Sequence, residues 1–121
     1  MRKILIVDDQ LEVRELVEVT LRGDDIVILQ AASGEEALAV VRSEKPELIL
    51  MDVMMPGRFD GLETTRAIKS DPATRNCTVI LLTAKGQDAD RRRGLEAGAE
   101  AYFTKPFSPL ALIECVEGHL V

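Results

Sequence analysis

Histidine and cysteine are scarce in this chain, and each scarcity removes a class of function. The single histidine, His119, has no second imidazole to help it bind a metal or shuttle a proton. Near the end of the last helical pattern, it reads as a favourable surface charge site. The two cysteines, Cys77 and Cys115, show no metal or redox spacing and read as small core residues of a reduced compartment. No apolar run approaches the roughly 20 residues of a membrane span, and no signal peptide precedes the first apolar run. A basic excess is missing as well. Fifteen Lys and Arg stand against 21 Asp and Glu, a net charge of −6, so a nucleic-acid backbone or an anionic membrane is not expected as a direct partner. The one basic run, Arg91-Arg92-Arg93, reads as a solvated helix face or part of a docking patch. Without repeats, linkers or low-complexity segments, residues 1–121 are expected to form one cytoplasmic domain with a real core.

Among what is present, the stretch Glu47-Leu-Ile-Leu-Met-Asp52-Val-Met-Met-Pro56 stands out. Four consecutive apolar residues, introduced by Pro46, predict a strand buried on both faces, as in the centre of a parallel sheet. The run stops at a carboxylate, Asp52. Similar short runs occur at Lys3–Val7, ended by Asp8 and Asp9, at Ile26–Leu29, at Thr78–Leu82, ended by Thr83, and at Ala101–Phe103, followed by Thr104, Lys105 and Pro106.

Helical patterns fill the gaps. The first carries Val13, Leu16, Val17, Thr20 and Leu21 on one face; the second opens with a Ser33–Glu36 capping box and buries Ala37, Leu38, Val40 and Val41. Asp60-Gly-Leu-Glu63 caps a third. The fourth is poorly endowed, with Ala89 and Leu95 as its main apolar contacts. Ser108 and Pro109 start the last, with Leu112, Ile113, Val116 and Leu120 inward. Five strands alternating with five helices predict a doubly wound α/β sheet, in which ligands bind at the carboxyl ends of the strands. That edge then carries Asp8, Asp9, Asp52, Thr83 and Lys105.

Clustered carboxylates repel. At an effective dielectric near 20, one pair at about 4 Å costs roughly 4 kcal/mol. Such a cluster persists around a cation or with some members protonated, and all-oxygen ligands with partial solvent access suit Mg²⁺. A metal, an ammonium and a hydroxyl together can neutralise a phosphoryl group in transfer, leaving Asp52 to act as nucleophile. Taken singly, each residue has an ordinary role: Asp9 as an N-cap, Asp52 as a turn residue, Thr83 as a capping hydroxyl, Lys105 as a surface lysine. Their joint arrangement at four strand ends is what departs from the ordinary.

The pieces Ile6-Val-Asp8-Asp9, Leu50-Met-Asp52-Val-Met-Met-Pro56, Leu82-Thr83-Ala84, Gly98-Ala99 and Tyr102-Phe-Thr-Lys105-Pro106-Phe107, in this order and spacing, resemble the receiver domain of two-component response regulators. The resemblance runs along the whole chain. It implies a flavodoxin-like sheet of order 2-1-3-4-5 and a phosphoacceptor role for Asp52, supplied by a histidine kinase or a histidine phosphotransfer protein. It implies Mg²⁺ held by Asp9 and Asp52, with Asp8 acting through water and Met54 through its backbone carbonyl. Thr83, Ala84 and Lys105 would bind the phosphoryl group, and Lys105-Pro106 would be a cis peptide. Thr83 and Tyr102 would form a switch biasing the surface of the fourth helix, fifth strand and fifth helix, toward a downstream target, an output domain or a dimer partner. Such a domain is not a conventional enzyme, because it catalyses only its own phosphorylation and dephosphorylation. Met54 and Lys85 occupy positions that tune phosphoryl lifetime, and together they predict slow self-dephosphorylation. The loop from Pro56 to Gly61 is one residue longer than the usual pattern.

Three rivals are distinguishable. A Mg²⁺-dependent phosphohydrolase usually has Asp-x-Asp after its first strand, where this chain has Asp8-Asp9-Gln10, and needs a substrate cap. A flavodoxin-type flavin module needs a hydroxyl- or glycine-rich phosphate loop where two acids stand here. An interaction domain that has lost phosphorylation would not be expected to keep Asp9, Asp52, Thr83 and Lys105 together. With little sequence after the fifth helix, a stand-alone regulator and a piece of a longer one both remain open.

Overall fold

The computed structural model describes residues 2–84, 88–105 and 107–120, and within them no side chain at 84 or 88–90. Its elements alternate: β1 (Arg2–Val7), α1 (Leu11–Leu21), β2 (Ile26–Ala31), α2 (Gly34–Glu44), β3 (Leu48–Asp52), α3 (Gly61–Ser70), β4 (Thr78–Ala84), α4 (Asp88–Glu96), β5 (Ala101–Lys105) and α5 (Pro109–His119). The five strands form one parallel sheet, as the doubly wound reading expects, in the order β2-β1-β3-β4-β5 that the family resemblance implies. The two cysteines are free, Cys77 buried and Cys115 half-buried.

The continuous apolar runs are explained by burial on both faces. Successive side chains of a strand point to opposite sides. Leu5, Val7, Ile49, Met51, Val79 and Leu81 enter the core beneath α2 and α3. Ile4, Ile6, Leu48, Leu50, Ile80 and Leu82 enter the one shared with α1 and α5. Strand β3 is buried at every position, so a residue at its end is positioned by packing on both sides.

Helix starts follow local chemistry. Asp60 accepts from the Glu63 backbone N–H at 2.8 Å while Glu63 reaches back, a complete capping box on α3. Ser33 accepts from the Glu36 N–H on α2, which is the first half of the expected Ser33–Glu36 box. Ser108 accepts from the Ala111 N–H on α5, behind Pro109.

Two helix faces differ from expectation. On α1 the stripe Val13, Val17, Leu21 meets the core, whereas Leu16 is 55% exposed. Leu16 precedes Val17 and falls about 100° off that stripe. On α4, Leu95 is exposed and the Ala89 side chain lies outside the described ones; among the described residues Gly94 is buried, as is Ala97 just past the helix. Gly94 stands so close to Leu81 of β4 that an added Cβ would collide with its side chain. The helix is thus seated by a small residue rather than a large one.

Candidate phosphoryl-transfer site

The carboxyl ends of β1 and β3, adjacent in the sheet, bring three acids together: an oxygen from each of Asp8, Asp9 and Asp52 lies within 4.8 Å of the others. Their environments differ. Asp8 is fully buried, Asp52 is 5% exposed, and Asp9 is exposed to solvent. Both oxygens of Asp8 are engaged. One accepts from the Gln10 backbone N–H at 2.9 Å, closing the turn into α1, and the other pairs with Lys105 Nζ at 2.8 Å.

Lys105, the last residue of β5, reaches across the sheet edge to the acids. Its ammonium also lies 3.3 Å from Asp52 Oδ1, so one cation bridges two buried carboxylates. Burial pushes the Asp52 carboxyl up from its usual range to about 6; the Asp8 charge adds to this and Lys105 opposes it. Burial pulls the Lys105 ammonium down, but the Asp8 hydrogen bond and the charges of Asp52 and Asp8 outweigh it and leave the group above its ordinary value. One ammonium does not satisfy three acids.

Asp9, Gln10, Asp52, Met54 and Lys105 line a pocket of about 220 Å³, and Met54 stands exposed at its rim. Beside it on β4, Thr83 Oγ1 is buried with no hydrogen-bond partner among the described residues. A buried hydroxyl without a partner costs on the order of 1–3 kcal/mol, a cost that persists where function supplies the partner. The β3 end is held close to α3 by Gly61, whose N–H donates to Val53 O at 3.0 Å. A Cβ there would collide with the backbone of Asp52 and Val53.

The donor set fits a small hard cation. It is all oxygen, carries excess negative charge and keeps one exposed acid beside water. Asp9 and Asp52 face the pocket, while Asp8, with both oxygens used, sits behind them.

The structure therefore brings Asp8, Asp9, Asp52, Thr83, Met54 and Lys105 to one edge. Tyr102 is half-buried and paired with Leu81, three residues back along β5 from Lys105, or about 10 Å. The Arg91 guanidinium lies 5.8 Å from its ring centre. Lys85 and Pro106, the second lifetime position and the cis-peptide proline, fall outside the described residues, and of Ala84 only the backbone is described. Two residues near this edge carry no signal in motif or spacing. Arg14 of α1 donates to the Asp8 carbonyl at 2.7 Å and to Gln30 Oε1 at 3.0 Å. A cation in the first turn of α1 is a hint that it serves the preceding loop, but no spacing rule connects it to Gln30.

The geometry agrees with what known proteins show. The family model of the response regulator receiver domain matches residues 4–117. The phosphate regulon transcriptional regulatory protein PhoB of Pseudomonas aeruginosa is 44% identical over 112 residues, 93% of this chain and 48% of that protein. The transcriptional regulatory protein ResD of Bacillus subtilis is 43% identical over 111 residues, 92% of this chain and 45% of that protein. The chain thus spans about half the length of the curated relatives it matches. The chemotaxis protein CheY4 of Vibrio cholerae superposes with a TM-score of 0.90 at 30% identity, covering 99% of both chains. The sheet order, the strand-edge acids and a family match along nearly the whole length lead to one conclusion: this chain belongs to the response regulator receiver domain family, the signalling domains of two-component systems.

Proposed function

We propose that Asp52 is the phosphoacceptor of this receiver domain. The observation that carries the reading is the ammonium of Lys105 shared between buried Asp8 and buried Asp52, with a Thr83 hydroxyl at the same edge that has no partner among the described residues. In the transfer, an Asp52 carboxylate oxygen forms a bond to phosphorus as the bond to the donor breaks, and the donor leaves with its electron pair. The natural donor would be a phosphohistidine on a histidine kinase or phosphotransfer protein. Lys105 then moves its donation from Asp52 to a phosphoryl oxygen, and Thr83 donates its hydroxyl proton to another.

Asp9 and Asp52 would hold Mg²⁺ directly, Met54 would add its backbone carbonyl, and Asp8 would act through water. When bound, the ion supplies positive charge for the phosphoryl oxygens. Asp8 also holds Lys105 in place, while the turn through Gln10 fixes Asp8 itself.

Recruitment of Thr83 would draw on β4, and Tyr102 on the neighbouring strand would follow, altering the surface of α4, β5 and α5. That surface would be read by a downstream protein, an output domain or a second copy, without direct contact to nucleic acid. Met54 cannot orient an attacking water, so the aspartyl phosphate should persist for minutes or longer; loss within seconds, with no phosphatase present, would sink that expectation.

The test is intact-protein mass after incubation with acetyl phosphate. Wild type with Mg²⁺ should gain one phosphoryl group, and wild type without Mg²⁺ or Asp52→Asn with it should gain none. A wild type that remains folded, binds Mg²⁺, and takes up neither phosphoryl group nor beryllofluoride would overturn the assignment.

A further inference from the structure

We infer that Arg14 is a positioning residue for the acidic edge, braced in that role by Gln30 of β2. The inference rests on the phosphoacceptor reading above. Arg14 spends its donors on two acceptors from different elements: Nη1 on the carbonyl of Asp8 at 2.7 Å, and Nε on Gln30 Oε1 at 3.0 Å. The other end of the same amide is also used, because Gln30 Nε2 donates to Glu18 Oε1 at 2.8 Å. Glu18 in turn pairs with Arg22 at 3.5 Å. The amide orientation is thereby fixed, since reversing it would set two N–H groups against each other and two oxygens against each other.

The guanidinium thus has one aim, the peptide between Asp8 and Asp9. That peptide decides where two of the three acids stand. It lies just past the end of β1, where the Asp8 N–H to Ala31 O bond, at 3.1 Å, is the last tie to β2. Beyond it, the Asp9 side chain is exposed, so packing does not hold it among its neighbours. A charge-assisted hydrogen bond to the preceding carbonyl is therefore what restrains the turn from outside, while Asp8 Oδ1 restrains it from inside through Gln10. Groups that orient ligands in this way typically change metal affinity by about tenfold or more when removed.

Charge alone predicts the opposite sign. Removing a cation beside an acidic pocket makes the pocket more negative and strengthens cation binding, so the direction of change separates the two effects. The experiment is calorimetric titration of Mg²⁺ into wild type, Arg14→Ala, Arg14→Lys and Gln30→Leu, with the acetyl phosphate loading rate measured on each by intact mass. Positioning predicts that Arg14→Ala weakens Mg²⁺ about tenfold and that its loading slows at limiting Mg²⁺ while recovering at saturating Mg²⁺. Gln30→Leu, which keeps the guanidinium and removes its brace, should shift in the same direction by a smaller factor. Arg14→Lys should recover part of the affinity through the one bond it can still make.

Tighter or unchanged Mg²⁺ binding in Arg14→Ala, with unchanged binding in Gln30→Leu, overturns the inference. If Arg14→Ala does not fold, Gln30→Leu decides alone, and wild-type affinity there overturns it equally. A wild type that binds Mg²⁺ but takes up neither phosphoryl group nor beryllofluoride defeats the phosphoacceptor reading instead, and the calorimetric arm still decides whether Arg14 positions the acids.

Discussion

Strands β3 and β5 both end in a residue of the acidic edge, yet they are built on opposite terms. Every residue of β3 is buried, and the chain leaving it is pinned by the Gly61 contact and the complete capping box of α3. No residue of β5 is fully buried, and α4 beside it presents Arg91, Arg92, Arg93 and Leu95 to solvent. The carboxylate Asp52 thus stands on rigid ground and Lys105 on ground with fewer packing restraints. Regions poor in buried apolar contacts open at lower free energy. On the function proposed above, the domain needs both properties: a nucleophile that does not move, and a reporting half that does. The difference between the two strands supplies them in one sheet.

The largest effect expected on this arrangement comes from removing the Lys105 bridge. Lys105→Ala leaves Asp8, fully buried, and Asp52, nearly so, without their cation. Breaking a buried pair from one side typically costs 3–5 kcal/mol, so a loss of about 4 kcal/mol is expected in urea unfolding at pH 7 with chelator present. Added Mg²⁺ should restore much of it. A loss below about 1 kcal/mol would mean that β5 contributes little to holding the edge together.

Asp52→Asn tests the rigid side and should act in the reverse direction. The Asp52 carboxyl sits at about 6 rather than its usual 3.8, because burial and Asp8 outweigh Lys105. Between those two values the folded state binds more protons than the unfolded one, so stability falls as pH rises through the window. Above pH 6 the whole penalty is in place, on the order of 3 kcal/mol. Metal-free Asp52→Asn should therefore be more stable than wild type at pH 7 by about that amount and nearly equal to it below pH 4. A difference independent of pH would show that shape rather than charge sets it.

How much of this was legible in the sequence follows the same division. Strands buried on both faces write themselves as unbroken apolar runs, and the acids that end them mark the edge; hence the sheet, its order and the gathering of Asp8, Asp52 and Lys105 at one edge could be expected from pattern and resemblance, whereas the direct pair of Asp8 with Lys105, 97 positions apart, is visible only in the structure. Periodicity states where a helix's apolar stripe points but not how far its neighbours cover it, which is why Leu16 and Leu95, inward by pattern, stand exposed. The Arg14–Gln30 brace was invisible for another reason. It joins two polar residues on different elements, each unremarkable alone, and only the parallel pairing of β1 with β2 makes them meet. Close approaches are equally silent, since a glycine in a helix does not announce what lies against it.

Those close approaches give the finest test of the two halves. Gly61 and Gly94 each begin or seat a helix where a Cβ has no room, but the obstacles differ. At Gly61 the obstacle is backbone, the Asp52 carbonyl and the Val53 Cα, which are fixed by a strand buried throughout. At Gly94 it is the tip of a side chain, that of Leu81, rather than backbone. Overpacking costs typically 1–3 kcal/mol, and the stiffer surroundings should sit at the upper end. Gly61→Ala is expected to cost about 3 kcal/mol and to lower Mg²⁺ affinity by displacing the Asp52 end of β3. Gly94→Ala is expected to cost about 1 kcal/mol, partly offset by alanine's better helix propensity, and to leave Mg²⁺ affinity unchanged. Chemical denaturation with Mg²⁺ titration on both variants measures the contrast directly. Equal costs, or a metal defect in Gly94→Ala, would show that α4 is seated as firmly as α3.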